Sequence, residues 1–235
     1  MINKAKAHLN AHTAFLLIAT TFGLLFVFTT PLLWGQDEIT HFGRAYEISQ
    51  GQMLPVPFQT GSATNYGGNV PTSAYKLISF VANDLRIGEK AAQKDNNIGL
   101  VRQPAQYKLL GSKSINDNKK SFLLFPNTAP YSPFAYFPSI IGLFVSDKLN
   151  FDLTNSIHLA RLLPLIFYVT TVYYLLRSLR RYRARWVILS VALLPTAIYQ
   201  ASTITADTMT IITMMVVSAL YLKTFLGEKL NSYET

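Results

Sequence analysis

From Trp186 to Leu222 the chain runs for 37 residues with a single charged side chain, Asp207. At about 1.5 Å of rise per residue against about 30 Å of hydrocarbon, such a run is too long for one helical crossing and just long enough for two short ones. It predicts a helical hairpin, with Gln200, Ser202, Thr203, Thr205, Asp207 and Thr208 marking its turn. The rest of the chain agrees with an embedded protein. Half of its 235 residues are hydrophobic, 14% are charged and the mean hydropathy is +0.23, which is too apolar for a typical soluble domain. Cysteine is absent, so disulfides, thiolate metal sites and cysteine nucleophiles are excluded. The formal charge of +9 does not point to nucleic acid, because the basic residues are scattered or flank apolar runs, where they orient the chain and meet anionic lipids.

Three other apolar runs precede the hairpin. Ala14 to Trp34 has 21 residues without a charge and ends in an interfacial aromatic rather than a small-residue cleavage site, so it predicts an uncleaved first crossing. Ile157 to Leu176 predicts another, with His158 and Arg161 near its start. Tyr131 to Ser146 is only 16 residues long and holds Pro133 and Pro138. Five arginines between Arg177 and Arg185 form the strongest cytoplasmic marker, because short basic loops resist translocation. With Lys4 and Lys6 also inside, only two of the three runs before the arginines can span, and the short, proline-broken one is expected to lie along the outer surface. The expectation is an all-α polytopic fold with about four crossings, near 14–34, 157–176, 186–204 and 206–222. It places both termini in the cytoplasm and 35–156 outside, as an extracytoplasmic loop region within a single membrane domain. Five crossings, with Tyr131 to Ser146 spanning, would put the arginines on the wrong side. The polar stretch 35–128, with turn signals at Gly67-Gly68 and Asn116 to Asn118, reads as a soluble loop with some helix.

Ionisable residues gather directly after the first crossing. If Asp37 to Gln50 is helical and closed by Gly51, then Asp37, His41 and Arg44 share one face and Ile39, Phe42 and Tyr46 another. An acid beside an apolar surface suits a general base, and an arginine nearby can hold a phosphate through two parallel hydrogen bonds. The competing reading makes Asp37 or Glu38 an ordinary helix-capping acid, with His41 and Arg44 as solvated partners. Asp207 is the lone carboxylate of its run and is expected on the same outer side as Asp37, as a functional acid or a turn cap. Arg161 either snorkels to the outer interface or faces a lipid phosphate. Tyr131, Phe134, Tyr136 and Phe137, beside three prolines, form an interfacial patch able to line a groove. The sequence shows no phosphate-binding glycine loop, no His-Glu-x-x-His zinc spacing and no credible Ser-His-Asp arrangement.

The order of these features resembles a family of bacterial multi-pass membrane proteins catalogued as a domain of unknown function. More distantly, it resembles the N-terminal part of the GT-C superfamily of integral membrane glycosyltransferases, whose members continue well beyond five helices. The matching pieces begin with Pro31 at the end of the first helix, Asp37-Glu38-x-x-His41-x-x-Arg44-Ala45, and Gly51. They continue with Tyr131-x-Pro133-x-x-Tyr136-x-Pro138, Ala160-Arg161-Leu162, Ala201-Ser202 and Ala206-Asp207. The resemblance implies inverting transfer of a sugar from a polyprenyl-phosphate donor to an envelope glycan or lipid acceptor in the bacterial plasma membrane. In that scheme Asp37 is the general base and Glu38 positions the acceptor or a divalent cation. Arg44 and Arg161 steady the phosphate, and His41 and Asp207 contribute to the substrate site. No cofactor is fixed by the sequence beyond that possible divalent cation. The alternative class is a non-enzymatic membrane protein that binds lipids or a partner, or an inactive fragment of such an enzyme.

Overall fold

A computed structural model describes residues 10–95, 103–183 and 185–225. Helix α1 (Ala11–Thr29) buries Phe15, Ala19, Gly23 and Val27, one stripe at a spacing of four, and leaves Leu17, Phe22, Leu25 and Phe28 exposed. An apolar stripe buried in protein and apolar side chains facing outward are what a helix solvated by lipid requires. The stripe packs on α6 (Leu153–Ser178), where Gly23 sits so close to Leu165 that any side chain there would collide with it. Asp152 caps α6 by accepting from the Asn155 backbone at 2.7 Å. Together with α9 (Asp207–Phe225), α1 and α6 are the three described helices long and apolar enough to cross a membrane.

The expected crossing at 186–204 is not a single rod. It forms α7 (Arg185–Ala192) and α8 (Pro195–Ala201), broken where Pro195 removes a donor and restricts the residue before it. The Tyr168 hydroxyl donates to the Ala192 carbonyl at 2.8 Å, satisfying one backbone acceptor next to the break. A turn at 202–206 then leads into α9. Tyr131 to Ser146 becomes a 3-10 turn (Pro133–Tyr136) and α5 (Phe137–Lys148). At 12 residues, α5 is about 18 Å long and short of the hydrocarbon width. Its face bearing Ser139, Gly142, Leu143 and Ser146 is buried, while Phe137, Ile141 and Phe144 are exposed. Gly142 lies against the backbone of Ala160, so α5 is seated tightly on α6.

The polar stretch corrects the all-α expectation. Besides α2 (Glu38–Ser49), α3 (Thr72–Asp95) and α4 (Pro104–Gly111), it forms a three-stranded antiparallel sheet in the order β1 (Val56–Thr60), β2 (Ala63–Pro71) and β3 (Lys120–Leu124). Thr60 pairs with Ala63 across a two-residue turn that starts at Gly61, whose φ is +62°. Gly67 and Gly68 are not a turn. They lie inside β2 opposite Leu124 and Leu123, and are small because a side chain at 67 would strike the Leu123 carbonyl and one at 68 the Glu47 carboxylate.

The lobe formed by α2, α3, α4 and the sheet shares one core with the adjoining helix ends, with Leu33, Phe42, Tyr46, Leu77, Val81, Ile115, Phe125, Tyr136, Leu143 and Ile157 among its members. A buried chain of hydrogen bonds ties the lobe to the end of the first crossing. Trp34 Nε1 donates to the Tyr107 hydroxyl at 2.7 Å, which donates to Asp84 at 3.0 Å.

Candidate functional site

The chain leaves α1 through Thr30 to Trp34 and enters α2 after two left-handed residues, Leu33 (φ 61°) and Asp37 (φ 52°). This corner is locked by Arg161 of α6. Its Nε and Nη2 donate to the two oxygens of Glu38 at 2.7 and 2.6 Å, and both side chains are fully buried. The remaining donors reach the Val27 carbonyl in the last turn of α1 at 3.2 Å and the Thr30 and Pro31 carbonyls just beyond it at 2.8 Å each. Glu38 also accepts from the Gly35 and Ile204 backbones at 2.9 and 3.0 Å, which joins the 202–206 turn to the same knot. Glu38 and Arg161 are thus brought together, with their hydrogen-bonding capacity turned inward. A buried pair so completely satisfied fixes geometry.

Asp37 differs from its neighbour. It is exposed and its side chain makes no capping hydrogen bond, although its carbonyl accepts from Thr40 and His41 at 3.0 and 3.1 Å. One turn on, His41 is buried with its Nδ1 2.7 Å from the Tyr136 hydroxyl and its ring beside Tyr131. Burial lowers the His41 pKa, against the pull of the Asp207, Asp37 and Glu38 carboxylates, which act on it in that order. Tyr136 is held protonated by burial.

Asp207 begins α9 and accepts from Gln200 Nε2 at 2.8 Å. The same nitrogen reaches Gln36 Oε1 at 3.4 Å, so one amide spans from the α8–α9 turn to the residue beside Asp37. Asp207 also lines a groove of about 320 Å³ between α7, α8 and α9, whose other walls include Val191, Leu194, Ala197 and Ile211. On the opposite flank of α9 a second groove of about 230 Å³ is lined by Phe134, Ala135, Met209 and Met214, and Thr210 belongs to both. The first groove is therefore mostly apolar, with Asp207 and Gln200 as polar parts of its lining, and the second contains neither.

Arg44 is not part of this cluster's open surface. It is 1% exposed, donates to Glu47 at 2.9 Å and to the Met53 carbonyl at 2.6 Å, and so faces the sheet side of α2. Glu47, at i+3 from Arg44, escaped the sequence reading. Its spacing was a visible signal, but its burial against Gly68 of a strand was not. Burial pushes the Glu47 pKa up to about 7 despite Arg44 beside it. Among the described residues no three or more His, Asp or Glu side chains come together as metal ligands.

A protein-family model described as a predicted membrane protein (DUF2142) matches residues 20–235. No curated protein and no solved structure matches the chain.

Proposed function

Because the chain belongs to that family of membrane proteins, we propose that the cluster of Asp37, His41, Gln200 and Asp207 is a transferase site for a lipid-linked sugar. The observation that supports this most is the exposed, uncapped Asp37 joined through Gln36 and Gln200 to Asp207, which lines a mostly apolar groove. A polyprenyl chain fits an apolar lateral groove, and its phosphate and sugar belong at the polar end. Asp37 takes the proton of an acceptor hydroxyl. That oxygen attacks the anomeric carbon as the carbon–oxygen bond to phosphate breaks, and the phosphate departs with the electron pair. One base without a covalent intermediate gives inversion.

In this reading Glu38 and Arg161 are positioning residues, because their hydrogen bonds go to each other and to the corner that presents Asp37. His41 stays neutral by burial and helps shape the pocket with Tyr136. A divalent cation would neutralise the leaving phosphate; Asp37, Asp207 and the phosphate itself offer the oxygens such an ion takes.

The topology that serves this chemistry has the lobe outside a bacterial plasma membrane and the arginine-rich turn after α6 and both termini inside. The pair α7–α8 then acts as the third of four crossings, broken at Pro195. The second reading, a lipid- or partner-binding membrane protein, is favoured by the commitment of both Arg44 and Arg161 to internal partners, which leaves neither guanidinium free to clamp a phosphate.

Transfer from a radiolabelled polyprenyl-phosphate sugar in membranes, with expression of the variants matched, tests the proposal. Activity of the unmodified chain that Asp37→Asn abolishes supports it. Donor binding without transfer supports the second reading.

A further inference from the structure

At the far end of α2 from Asp37, the sheet and the helix enclose a cavity of about 160 Å³ whose character differs from the grooves along α9. Its floor is the buried pair Tyr46 and Glu47, and its rim is the exposed set Gln50, Gln52, Asn69 and Lys120. Val56 is its one aliphatic wall. By the liquid volume of water, about 30 Å³ per molecule, the space amounts to roughly five waters, well below the size of drug-like sites.

We infer that this cavity is a binding site for a single neutral sugar residue, separate from the cluster at Asp37. Three of the rim side chains are amides, and an amide both donates and accepts, as does every hydroxyl of a sugar. Tyr46 accepts from Lys120 Nζ at 3.1 Å, and its own proton remains available to a ligand oxygen. The Lys120 ammonium is held there and lies over the Tyr46 ring at 5.4 Å. Glu47 in the floor is paired with Arg44, which does not line the cavity, so the cavity presents one cation already engaged rather than an open charged clamp. That arrangement favours a ligand with many hydroxyls over a phosphate, which would select for converging cations. The floor is also fixed before any ligand arrives. Gly51 closes α2 with φ +89° and the Gln52 backbone donates to the Glu47 carbonyl at 3.2 Å, which places Gln50 and Gln52 on either side of the helix end. Position along the helix adds a reason for a sugar. Glu38, next to Asp37, and Glu47 are nine residues apart on α2, about 13.5 Å by helical rise, so a glycan held here extends toward the Asp37 end of the helix.

The test uses the full chain in detergent and saturation-transfer NMR with millimolar D-glucose, D-mannose, D-galactose and N-acetyl-D-glucosamine as probes, and inorganic phosphate as competitor. The expected result is transfer to the ring protons of at least one sugar, unaffected by equimolar phosphate. In Asn69→Ala/Gln52→Ala, changed only at exposed positions, binding should weaken about tenfold, the loss of two ordinary hydrogen bonds. Asp37→Asn should bind as well as the unmodified chain, so that failure of the transferase reading and failure of this one are told apart. No transfer to any of the four sugars, displacement by phosphate, or equal binding in the double variant would each overturn the inference.

Discussion

Arg161 and Glu38 are 123 residues apart in sequence and meet through two hydrogen bonds of 2.7 and 2.6 Å with neither side chain exposed. The pair joins the end of α1, the start of α2, the middle of the chain and the turn before α9. The cost of removing one partner is therefore the cost of an uncompensated charge inside that junction. Arg161→Met or Glu38→Gln should each destabilise the protein by about 3–5 kcal/mol, and the double variant Glu38→Gln/Arg161→Met by less than the sum. Thermal unfolding in detergent, followed by tryptophan fluorescence, checks this through Trp34, which lies at the corner.

Because cysteine is absent, topology can be read with single introduced thiols. Ser114→Cys and Asn155→Cys should be labelled from outside by an impermeant maleimide and Arg183→Cys should not. Labelling at 183 with protection at 155 would establish five crossings, with Tyr131 to Ser146 spanning, and overturn the four-crossing arrangement.

Asp37→Asn should leave folding within about 0.5 kcal/mol, since the side chain makes no capping bond and asparagine tolerates left-handed backbone. Under the proposed mechanism it should lower transfer by at least about 100-fold, the usual scale of a lost general base. Asp207→Asn keeps the groove but removes its charge and should raise the requirement for donor more than it slows turnover.

Glu47 supplies a pH dependence with a definite sign. Burial raises its folded pKa to about 7, from the ordinary 4.5 of a free glutamate. A carboxyl whose folded pKa lies above its unfolded one contributes its full stability at acid pH and loses it as pH rises through the interval between the two. Unfolding temperatures should therefore fall between about pH 4.5 and pH 7 more steeply in the unmodified chain than in Glu47→Gln. Parallel curves for the two proteins would show that Glu47 is not perturbed.

Gly142 abuts the Ala160 backbone, one residue before Arg161. Gly142→Leu should lift α5 from α6 and cost about 1–3 kcal/mol or more by overpacking, whereas Ile141→Ala, on the exposed face, should cost little. Thermal unfolding of the two variants side by side separates seating of the helix from its lipid-facing surface.

Much of the helical scaffold could be read directly. The run after Asp37 closes at Gly51 as its pattern indicates, and α6 and α9 follow from apolar length. Strand β2 was hidden because Ala63 to Pro71 has no alternating apolar pattern and contains two adjacent glycines, a pair that ordinarily signals a turn; only the approach of Glu47 and Leu123 explains them. The split between α7 and α8 had a local cue in Pro195, overridden by the length of the apolar run. At the site, the spacing put Asp37, His41 and Arg44 on one helical face, but Asp37 precedes α2 in a left-handed conformation, and spacing says nothing of partners. The direction of Arg44 depends on Glu47 and the Met53 carbonyl, and that of Arg161 on a carboxylate that no local pattern connects to it.

The left-handed backbone at Asp37 has a consequence for what substitutions a population could keep. Glycine, asparagine and aspartate enter this conformation readily, while most other residues lose about 1–2 kcal/mol there. Selection for the amount of protein alone would let those three residues drift into one another at position 37. Selection for a negative charge would hold aspartate and would also reject glutamate, whose charge comes with the wrong backbone preference. Drift at this codon thus reports which of the two pressures the corner has been under.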